Sequence, residues 1–387
     1  MKCLICGEHT NSFPITQSPI SGYRCDLESE SLNEPVFDLI IHFCNKCNFV
    51  FYPRYVEAFR VLDKLYSEHT STYYNTPQLM NYLNNFVDTI IKRNQITSKS
   101  KVLEIGCNDG KLLSLFRQNS GCKILGIEPS KMFDNTWKEN NIKVLNEYFN
   151  AELVKNSLEN ENFDVITFRH VLEHIPDPIE FLGNVASIMH DKTLLVIEVP
   201  YFFSVISKLR IENISFSHLS YFTIRSLNKI IENFSLGIES YDLVETDGGS
   251  IVFYIRKNKE TNPDLLDNLT IDKIEEFVNY IEKSKRRIQN LLDQYKKNEI
   301  IGYGAGAKGS HLLYLFNLQK YLNIVIDDTP GYEDKFIPGT SVRIKPNSYL
   351  EKDELKLVIN LAPTHSEAIK KRIPDHLTLF NIIETEN

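Results

Sequence analysis

Two pairs of cysteines near the start of the chain have the spacing of a metal site. Cys3 and Cys6 form one CxxC pair, and Cys44 and Cys47 form the second. Two such pairs can place four thiolates around one Zn²⁺ in a tetrahedral arrangement. Because all four ligands would come from the protein, no coordination position is left for water, which predicts a structural zinc rather than a catalytic one. A set of unrelated reduced thiols is the alternative, and a redox role is disfavoured because neither CxxC opens a helix after a predicted strand.

A loop with two glycines and two acidic side chains carries the second chemical signal. The apolar segment Lys101–Ile105 reads as a buried strand, and it runs into Gly106 and Gly110 at the start of a predicted helix. Glycines at these points let the backbone approach a ligand and turn sharply. A dinucleotide site would need the pattern G-x-G-x-x-G, which this loop lacks. Glu104 and Asp109 instead suit the amino-acid and ribose portions of S-adenosylmethionine (SAM).

An acidic residue at the end of the next predicted strand strengthens this interpretation. Glu128 follows the strand Lys123–Ile127, and a carboxylate there can accept hydrogen bonds from both hydroxyls of a ribose. The loop and the acid together form the pattern of a class I SAM site. Another nucleotide, or a site that has lost its ligand, is the alternative. The residues expected to bind SAM are Glu104, Gly106, Asn108, Asp109, Gly110, Glu128, Pro129 and Arg169.

Two histidines follow the strand predicted over Phe163–Thr167. His170 and His174 are four positions apart, which predicts that they share one face of a helix. Arg169 and His170 are nearer to the carboxyl end of the strand, where ligands bind in parallel sheets. We therefore expect Arg169 and His170 to reach the site and His174 to be structural.

A glycine-rich loop also occurs in the last third of the chain. The segment Gly302–Gly309 follows the predicted strand Glu299–Tyr303 and should open a helix. Amide groups at such a helix start can bind a phosphate, and Lys308 would add positive charge towards a diphosphate. A tight turn from strand to helix, with no ligand, is the alternative explanation for these glycines.

The elements that position these residues follow an α/β pattern. Short apolar strands alternate with amphipathic helices, and a second alternation begins after a long polar helix predicted over Ile271–Tyr295. Such alternation predicts parallel sheets covered by helices. The sequence therefore predicts a zinc-binding module over residues 1–60, a doubly wound class I SAM-methyltransferase domain over 61–255 and a Rossmann-like α/β domain over 256–387. The other predicted strands are Thr193–Val199, Leu322–Ile326 and Leu357–Leu361.

Composition and charge restrict the partners and the location. The 387 residues carry a net charge of −8, whereas nucleic-acid binders concentrate Lys and Arg. No apolar run approaches the ~20 residues that cross a bilayer, and the N-terminus reaches Cys3 without the pattern of a signal peptide. We expect a cytoplasmic monomer or small homo-oligomer that binds neither nucleic acid nor a membrane.

The order of these motifs resembles that of the three-domain sugar C-methyltransferases of deoxysugar pathways. Those enzymes carry an N-terminal zinc module, a central SAM domain and a Rossmann-like C-terminal domain, and the resemblance covers essentially the whole chain. It implies SAM as methyl donor, a structural Zn²⁺ and a nucleotide-linked 4-keto sugar as substrate. Besides the CxxC pairs and the SAM loop, the motifs that carry it are His218–Phe222, Gly248–Ser250, Gly302–Gly309, Ile326–Pro330 and Asn360–Ala362.

The resemblance also implies residues of the active site. In the family a histidine removes the proton beside the keto group, and the resulting enolate attacks the methyl group of SAM. That histidine aligns with His218. The residues expected in catalysis are His218, Tyr74 and His170, and those expected to bind the substrate are Tyr73, Tyr201, Tyr221, Gly304, Lys308 and His311.

One segment departs from the family pattern. The family's Tyr-His-Glu-His run reads Ser215–His218 here, so Ser215 replaces its tyrosine and Ser217 replaces the glutamate beside the base. The replaced groups would orient the base or hold the keto sugar. Sugar O-methylation, which needs a base such as His218 or His170 but no keto group, is therefore an alternative to C-methylation. A catalytically silent protein that binds SAM or a sugar nucleotide is the alternative from another class.

Overall fold

The computed structural model describes residues 1–20, 22–68, 76–245 and 249–383. Tyr73, Tyr74 and Gly248 lie outside these residues, so the roles expected for the two tyrosines stay predictions. The first elements in chain order are β1 (Asn11–Pro19), α1 (Glu28–Leu32), β2 (Val36–Cys44), β3 (Phe49–Phe51) and α2 (Val56–Glu68).

The middle of the chain alternates helices and strands. Its first elements are α3 (Pro77–Asn94), β4 (Lys101–Ile105), α4 (Lys111–Ser120), β5 (Lys123–Ile127), α5 (Asp134–Glu139), β6 (Val144–Leu145), α6 (Ala151–Leu153) and β7 (Val165–Arg169). They are followed by α7 (Pro178–Ser187), β8 (Leu194–Pro200), α8 (Phe202–Ser207), β9 (Ser220–Tyr221), α9 (Ile224–Ile231), β10 (Leu236–Val244) and β11 (Ser250–Lys257).

A central sheet of seven strands has the order β10-β11-β8-β7-β4-β5-β6. Strands β4 to β8 in this sheet pair in parallel, and β11 runs antiparallel between β8 and β10. The order reverses at β4, so that the loops after β4 and β7 open on either side of the switch point, where ligands bind in such sheets. The predicted doubly wound class I methyltransferase sheet is confirmed.

The helices beside this sheet begin and end at residues suited to those positions. The Thr76 side chain accepts a hydrogen bond from the Leu79 amide and Pro77 occupies the first turn of α3, both of which favour a helix start. Gly110 and Gly121 flank α4 with left-handed φ angles of 77° and 71°. These local signals fix where the helix that follows the SAM loop starts and stops.

The last part of the chain forms a parallel sheet of five strands in the order β14-β13-β12-β15-β16. The predicted Rossmann-like C-terminal α/β architecture is thus seen in the structure. Its elements are α10 (Ile271–Leu292), β12 (Ile300–Tyr303), α11 (Ala307–Leu315), β13 (Ile324–Ile326), β14 (Arg343–Lys345), β15 (Leu357–Asn360), α12 (Ser366–Lys370) and β16 (Thr378–Asn381).

The N-terminal strands are joined to the rest of the chain in two ways. They form an antiparallel sheet in the order β1-β2-β3-β9, in which β9 comes from the middle of the chain. Apolar side chains of this sheet, such as Ile15 and Leu39, also share one buried cluster with Leu312 and Val325 of the C-terminal sheet and its helix. The domain boundaries predicted at residues 60 and 255 stay predictions. Helix α2 spans residue 60, and β9 from the middle of the chain pairs with the N-terminal sheet.

The predicted strands agree with the structure to within about two residues, with one informative shift. The strand predicted over Phe163–Thr167 is β7, which runs from Val165 to Arg169. Asp164 lies just before it and bonds to Lys101 through its backbone amide and its carboxylate, and the strand begins two residues later than predicted. No described helix is both long enough and apolar enough to span a membrane.

Candidate functional site

The four cysteines of the CxxC pairs converge on one point. Their sulfur atoms all lie within 4.8 Å of one another, and Cys6 Sγ is 3.6 Å from Cys44 Sγ. Zn–S bonds of about 2.3 Å in a tetrahedron place the sulfurs about 3.8 Å apart. The four thiols, which are not joined as disulfides, therefore fit a Zn²⁺ ion held by Cys3, Cys6, Cys44 and Cys47.

Each pair is shaped by a tight turn that ends in a left-handed residue. The Gly7 amide donates to the Cys3 carbonyl at 3.0 Å, and the Asn48 amide donates to the Cys44 carbonyl at 2.8 Å. Gly7 has φ 73° and Asn48 has φ 53°, a conformation that glycine and asparagine tolerate best. The other three cysteines, Cys25, Cys107 and Cys122, lie outside this cluster.

The loop after β4 has the backbone conformation expected at the SAM site. Gly106 has φ 72°, and a Cβ added there would come within 2.5 Å of Val171 Cγ2. A Cβ at Gly110 would come within 2.5 Å of Ile142 Cδ1. Only glycine fits these two positions without strain, and the loop passes close to the residues after β7 as a result.

Glu128 joins this loop to the next strand. Its Oε2 accepts a hydrogen bond from the Asn108 amide at 2.9 Å, and its Oε1 accepts one from the Ser130 amide at 3.0 Å. Burial raises the pKa of Glu128, although these amide donors oppose the shift. The carboxylate is 5% exposed and retains acceptor capacity for a ribose diol, since each oxygen has two lone pairs.

Glu104 at the base of the loop supplies a second buried carboxylate. Its Oε2 has no hydrogen-bond partner among the described residues, and burial raises its pKa well above the usual value, while the nearby Arg169 acts in the opposite direction. An unpaired buried acceptor is costly, so it suits a ligand with a donor such as the ammonium group of SAM. Glu104 and Glu128 together fit SAM.

Arg169 is held between carboxylates and aromatic rings. Its Nε donates to Glu198 Oε2, and its guanidinium carbon lies 5.3 Å from the ring centroids of both Tyr82 and Phe86. Glu198 is fully buried, and although burial alone would raise its pKa, Arg169 and His170 bring it well below the usual value. The ion pair thus fixes Arg169 at the carboxyl end of β7, beside Glu104.

Replacing Glu128 by glutamine tests the SAM site. Losing the charged acceptor should weaken binding of SAM by about 10–10²-fold, because hydrogen bonds to charged groups contribute about 1.5–3 kcal/mol. Calorimetric titration with SAM measures the change. The exposed Glu139→Gln variant, at the end of α5, is the control, and equal affinities of the two variants would remove Glu128 from the site.

Three histidines and a buried glutamate lie beside this loop. His170 Nδ1 is 3.3 Å and His174 Nε2 is 4.0 Å from Oε1 of Glu173, which is 1% exposed. The rings of His174 and His218 are 5.0 Å apart and nearly perpendicular. Tyr66 OH lies 2.7 Å from His174 Nδ1, so α2 contributes to the cluster as well.

The prediction that His170 and His174 share a helix face is wrong. His170 has a left-handed φ of 52°, and only a short 3₁₀ turn over Leu172–His174 follows it. The left-handed residue breaks the helical path, and Pro176 prevents its continuation. The turn instead directs Glu173 inward between the two histidines.

His218 enters the cluster from the segment just before β9. Its Nδ1 is buried and has no hydrogen-bond partner among the described residues. Burial, together with the charges of His174, His170 and Lys308, lowers the pKa of His218 to about 3, against the opposing effect of Glu173. The imidazole is therefore neutral near pH 7, but the lowered pKa also makes it a weaker base, so proton transfer to it requires a group that stabilises the imidazolium.

Tyr221 braces the segment that carries His218. Its hydroxyl donates to the Asn213 carbonyl at 2.9 Å and accepts from the Ser215 amide at 2.9 Å. The hydroxyl groups of Ser215 and Ser217 are 2.9 Å apart. The hydroxyl of Tyr221 is thus bonded to the backbone, and the substrate role expected for this residue stays a prediction.

The C-terminal glycine loop reaches the same region. Gly304 has φ 103°, and a Cβ there would come within 2.7 Å of Ala362 Cβ, so this glycine is needed for packing. Lys308, in the first turn of α11, interacts electrostatically with both His218 and Glu212. The positive charge of Lys308 therefore acts both on the expected base and on a second buried carboxylate.

Glu212 was not predicted from the sequence. Its side chain is fully buried, and neither carboxylate oxygen has a hydrogen-bond partner within the part of the chain that the structure describes. Arg210 Nη1 is 3.7 Å away, and burial raises the pKa of Glu212 against the effects of Lys308 and Arg210. The only signal was the position of Glu212 six residues before His218.

Two family models match consecutive parts of this chain. Residues 79–241 match the family model described as a methyltransferase domain, and residues 245–378 match the one described as the C-methyltransferase C-terminal domain. The chain is a SAM-dependent methyltransferase. It is 24% identical over 362 residues to C-methyltransferase NovU of Streptomyces niveus, an alignment that covers 89% of this chain and 85% of that protein.

Two further proteins are similar to parts of this methyltransferase. Ubiquinone biosynthesis O-methyltransferase of Actinobacillus pleuropneumoniae serotype 5b (strain L20) is 31% identical over 118 residues, which cover 28% of this chain and 46% of that protein. The structure of magnesium protoporphyrin IX methyltransferase (ChlM) from Synechocystis PCC 6803 with bound SAH has a TM-score of 0.39 and 14% identity. It covers 51% of this chain and 99% of that one.

Several other residues expected in the site of the methyltransferase have different surroundings. Tyr201 is buried and its hydroxyl donates to Asp267 Oδ2 at 3.0 Å, and its expected substrate role stays a prediction. Asp109 Oδ1 accepts from the Lys111 amide at 3.0 Å and stabilises the start of α4. Asn108 contributes its amide to Glu128, and its carbonyl accepts from Trp137 Nε1 at 2.8 Å.

His311 is a buried residue among those expected to bind the substrate. It is 1% exposed in α11, and neither ring nitrogen has a hydrogen-bond partner in the described ranges. Burial lowers the pKa of His311 to about 3, so the ring is neutral near pH 7. Its substrate role stays a prediction, as do those of Gly304 and Lys308.

Proposed function

We propose that this methyltransferase transfers the methyl group of SAM to a carbon of a nucleotide-linked keto sugar, with His218 as general base. The observation that carries the proposal is the position of His218, which lies beside the buried Glu173 and within the electrostatic reach of Lys308. One group comes from the SAM-binding part and the other from the C-methyltransferase C-terminal domain. A substrate held between these two parts would reach both.

The unpaired buried polar atoms near His218 support a sugar as the acceptor. Among the described residues, Asn213 Nδ2, His218 Nδ1 and the carboxylate oxygens of Glu212 have no hydrogen-bond partner. Each such group costs about 1–3 kcal/mol when it stays unpaired. A ligand rich in hydroxyl and carbonyl groups would satisfy several of them, whereas an apolar acceptor would leave them unpaired.

The start of α11 supports a nucleotide attached to that sugar. Helix starts with free amide groups attract phosphate, and Lys308 adds a positive charge there. A Cβ added at Gly306 would meet no atom within 4 Å, so the loop leaves open space for a ligand. A diphosphate would lie here, with its sugar directed towards His218.

Each residue would have a definite task in the reaction. When bound, SAM supplies an electrophilic methyl group on a positively charged sulfur. The neutral His218 would take the proton from the carbon beside the keto group, and the electron pair would remain on the sugar as an enolate.

Incubation with labelled SAM and a panel of nucleotide-linked hexoses and heptoses, with and without a keto group, tests the proposal. We expect label in the keto sugars and none in their reduced counterparts. If no sugar nucleotide is labelled by an enzyme that binds SAM, the sugar assignment is wrong.

Sugar O-methylation is the second candidate. It is supported by Ser217, which stands where the family has a glutamate, and by the similarity of one segment to an O-methyltransferase. His218 would then take the proton of an alcohol instead of a C–H proton. Methylation of the reduced sugars in the panel would favour this alternative.

Replacing Glu212 by glutamine tests its proposed contact with the sugar. Loss of a charged acceptor for a sugar hydroxyl should raise KM for the nucleotide sugar by about 10-fold or more, with a smaller change in kcat and none in SAM affinity. The exposed Glu232→Gln variant is the matched control. Steady-state rates that are the same in both variants would place the sugar elsewhere.

A further inference from the structure

The carboxylate of Glu173 lies close to the ring of the proposed base. One carboxylate oxygen of Glu173 and one ring nitrogen each of His174 and His218 lie within 4.8 Å of one another. Glu173 is 1% exposed, and neither of its oxygens has a well-aligned hydrogen bond among the described residues. A buried carboxylate with spare acceptor capacity is thus within a small side-chain movement of the His218 ring.

The other charged groups near His218 do not provide this negative charge. The groups that act on His218 are His174 and His170 from the loop after β7, Lys308 from α11 and Glu173, of which only Glu173 is negative. The Tyr221 ring also faces it, at 5.7 Å between centroids. Among the other buried carboxylates, Glu198 is paired with Arg169, and Glu212 interacts with Lys308 and Arg210.

Glu173 is also ionised in this setting. Burial alone would raise its pKa, but His170 and His174 outweigh burial and bring the pKa of Glu173 below its usual value. Its negative charge is therefore present near pH 7. A buried carboxylate beside an imidazole stabilises the imidazolium and fixes the ring tautomer.

Glu173 provides a carboxylate near His218, whereas Ser217 stands where the family pattern has a glutamate. We propose that Glu173 is the positioning carboxylate of His218 and takes over the task of the glutamate that the resembling enzymes carry at position 217. The proposal rests on the proposed function in that His218 is the base. Glu173 is fixed by the 3₁₀ turn Leu172–His174, whereas a glutamate at 217 would come from the segment of the base itself.

The proton balance of this arrangement is simple. The proton leaves the substrate carbon for a ring nitrogen of His218, and the bonding electron pair stays on the substrate. His218 becomes an imidazolium, which the positive charge of Lys308 disfavours and the negative charge of Glu173 favours. Glu173 thereby offsets the repulsion from Lys308. The proton later leaves His218 for solvent, and Glu173 stays ionised throughout.

Nitrogen-15 NMR of the histidine rings near pH 7 tests the proposal without any sugar. His218 should be a single neutral tautomer in the natural protein, and its signals are assigned by their loss in His218→Ala. In Glu173→Gln the two tautomers should both be populated, whereas Glu173→Asp, which keeps the charge, should retain one. A mixture of tautomers in the natural protein, or a single tautomer in Glu173→Gln, overturns the proposal.

Kinetics with the substrate found in the panel provide the second readout. Glu173→Gln should lower kcat by about 10²-fold or more while KM stays within about twofold, and the exposed Glu180→Gln variant should match the natural protein. Adding Ser217→Glu to Glu173→Gln should restore at least about a tenth of the lost kcat. An unchanged kcat in Glu173→Gln contradicts the proposal.

The two readouts separate the two proposals. If no sugar nucleotide is methylated, the proposed function fails, and the NMR spectra still decide whether Glu173 orients His218. If sugar is methylated but the spectra and kcat of Glu173→Gln are those of the natural protein, only the role of Glu173 fails.

Discussion

Replacing His218 by alanine is expected to lower kcat by about 10²–10⁴-fold, the usual contribution of a general base. The half-buried ring is neutral near pH 7, since burial and neighbouring positive charges lower the pKa of His218 to about 3. Affinity for SAM should be unchanged, because the expected SAM ligands Glu104 and Glu128 belong to β4 and to the loop after β5, and not to the segment that carries His218. Initial rates with labelled SAM and calorimetric titration with SAM measure the two quantities.

The exposed His376 provides a matched control for this substitution. His376→Ala should turn over substrate like the natural protein. Free imidazole should restore part of the activity of His218→Ala, because the substitution leaves space for a small base. Full activity in His218→Ala would remove this residue from the mechanism and favour His170, which lies in the same cluster.

Replacing Cys44 by serine is expected to abolish stoichiometric zinc binding and to unfold the N-terminal sheet. We expect one Zn²⁺ per chain, with an apparent binding free energy of about 10–16 kcal/mol, as in other four-ligand structural sites. Cys44 is the last residue of β2, which pairs with β3, and β3 pairs with β9 directly after His218. Loss of the metal should therefore lower both the melting temperature and the activity.

Elemental analysis and thermal melting measure these effects. Cys122→Ser is the control, since Cys122 is buried in the middle domain and away from the four-cysteine cluster. That variant should keep one zinc per chain and a melting temperature close to that of the natural protein. Purified protein that contains no zinc but melts and turns over normally would contradict the structural role of the metal.

Sequence patterns predict the parts of this fold that are determined locally. The strands Lys101–Ile105 and Lys123–Ile127 were predicted at their observed bounds, because short apolar runs between glycines and polar turns mark buried parallel strands. Gly106 and Gly110 both have a left-handed backbone and neighbours that leave no room for a side chain. The sequence pattern predicts glycine at these positions for that reason. The ribose-binding role expected for Glu128 is likewise predicted from its position directly after β5.

Contacts between distant segments were not predictable in this way. Glu173 and His218 are 45 positions apart in a chain whose pattern assigns them to different elements, and no local signal brings them together. The pairing of β9 with β3 joins residues 220–221 to the cysteine-bearing sheet, which the division into consecutive domains did not anticipate. The helix expected over His170 and His174 failed because one left-handed residue and a nearby proline override the spacing.

The hydroxyl groups of two tyrosines that were expected to bind the substrate form hydrogen bonds within the protein. Tyr201 and Tyr221 look like substrate ligands because a tyrosine hydroxyl is a versatile partner. In the fold Asp267 takes the hydroxyl of Tyr201, and the backbone of residues 213–215 takes that of Tyr221. Glu173 and Glu212 are buried and have no hydrogen bond among the described residues, although His170 Nδ1 is 3.3 Å from Glu173 and Arg210 Nη1 is 3.7 Å from Glu212. Unpaired acceptors of this kind mark both carboxylates as candidates for function.

The attachment of the transferred methyl group tests the central claim most directly. The reaction is run with SAM that carries a carbon-13 methyl group, and the product is analysed by NMR. C-methylation predicts a methyl signal coupled to a ring carbon, at the high field of a methyl on carbon, with loss of the proton beside the keto group. A signal at the much lower field of a methoxy group, with the ring proton retained, would contradict C-methylation by this enzyme.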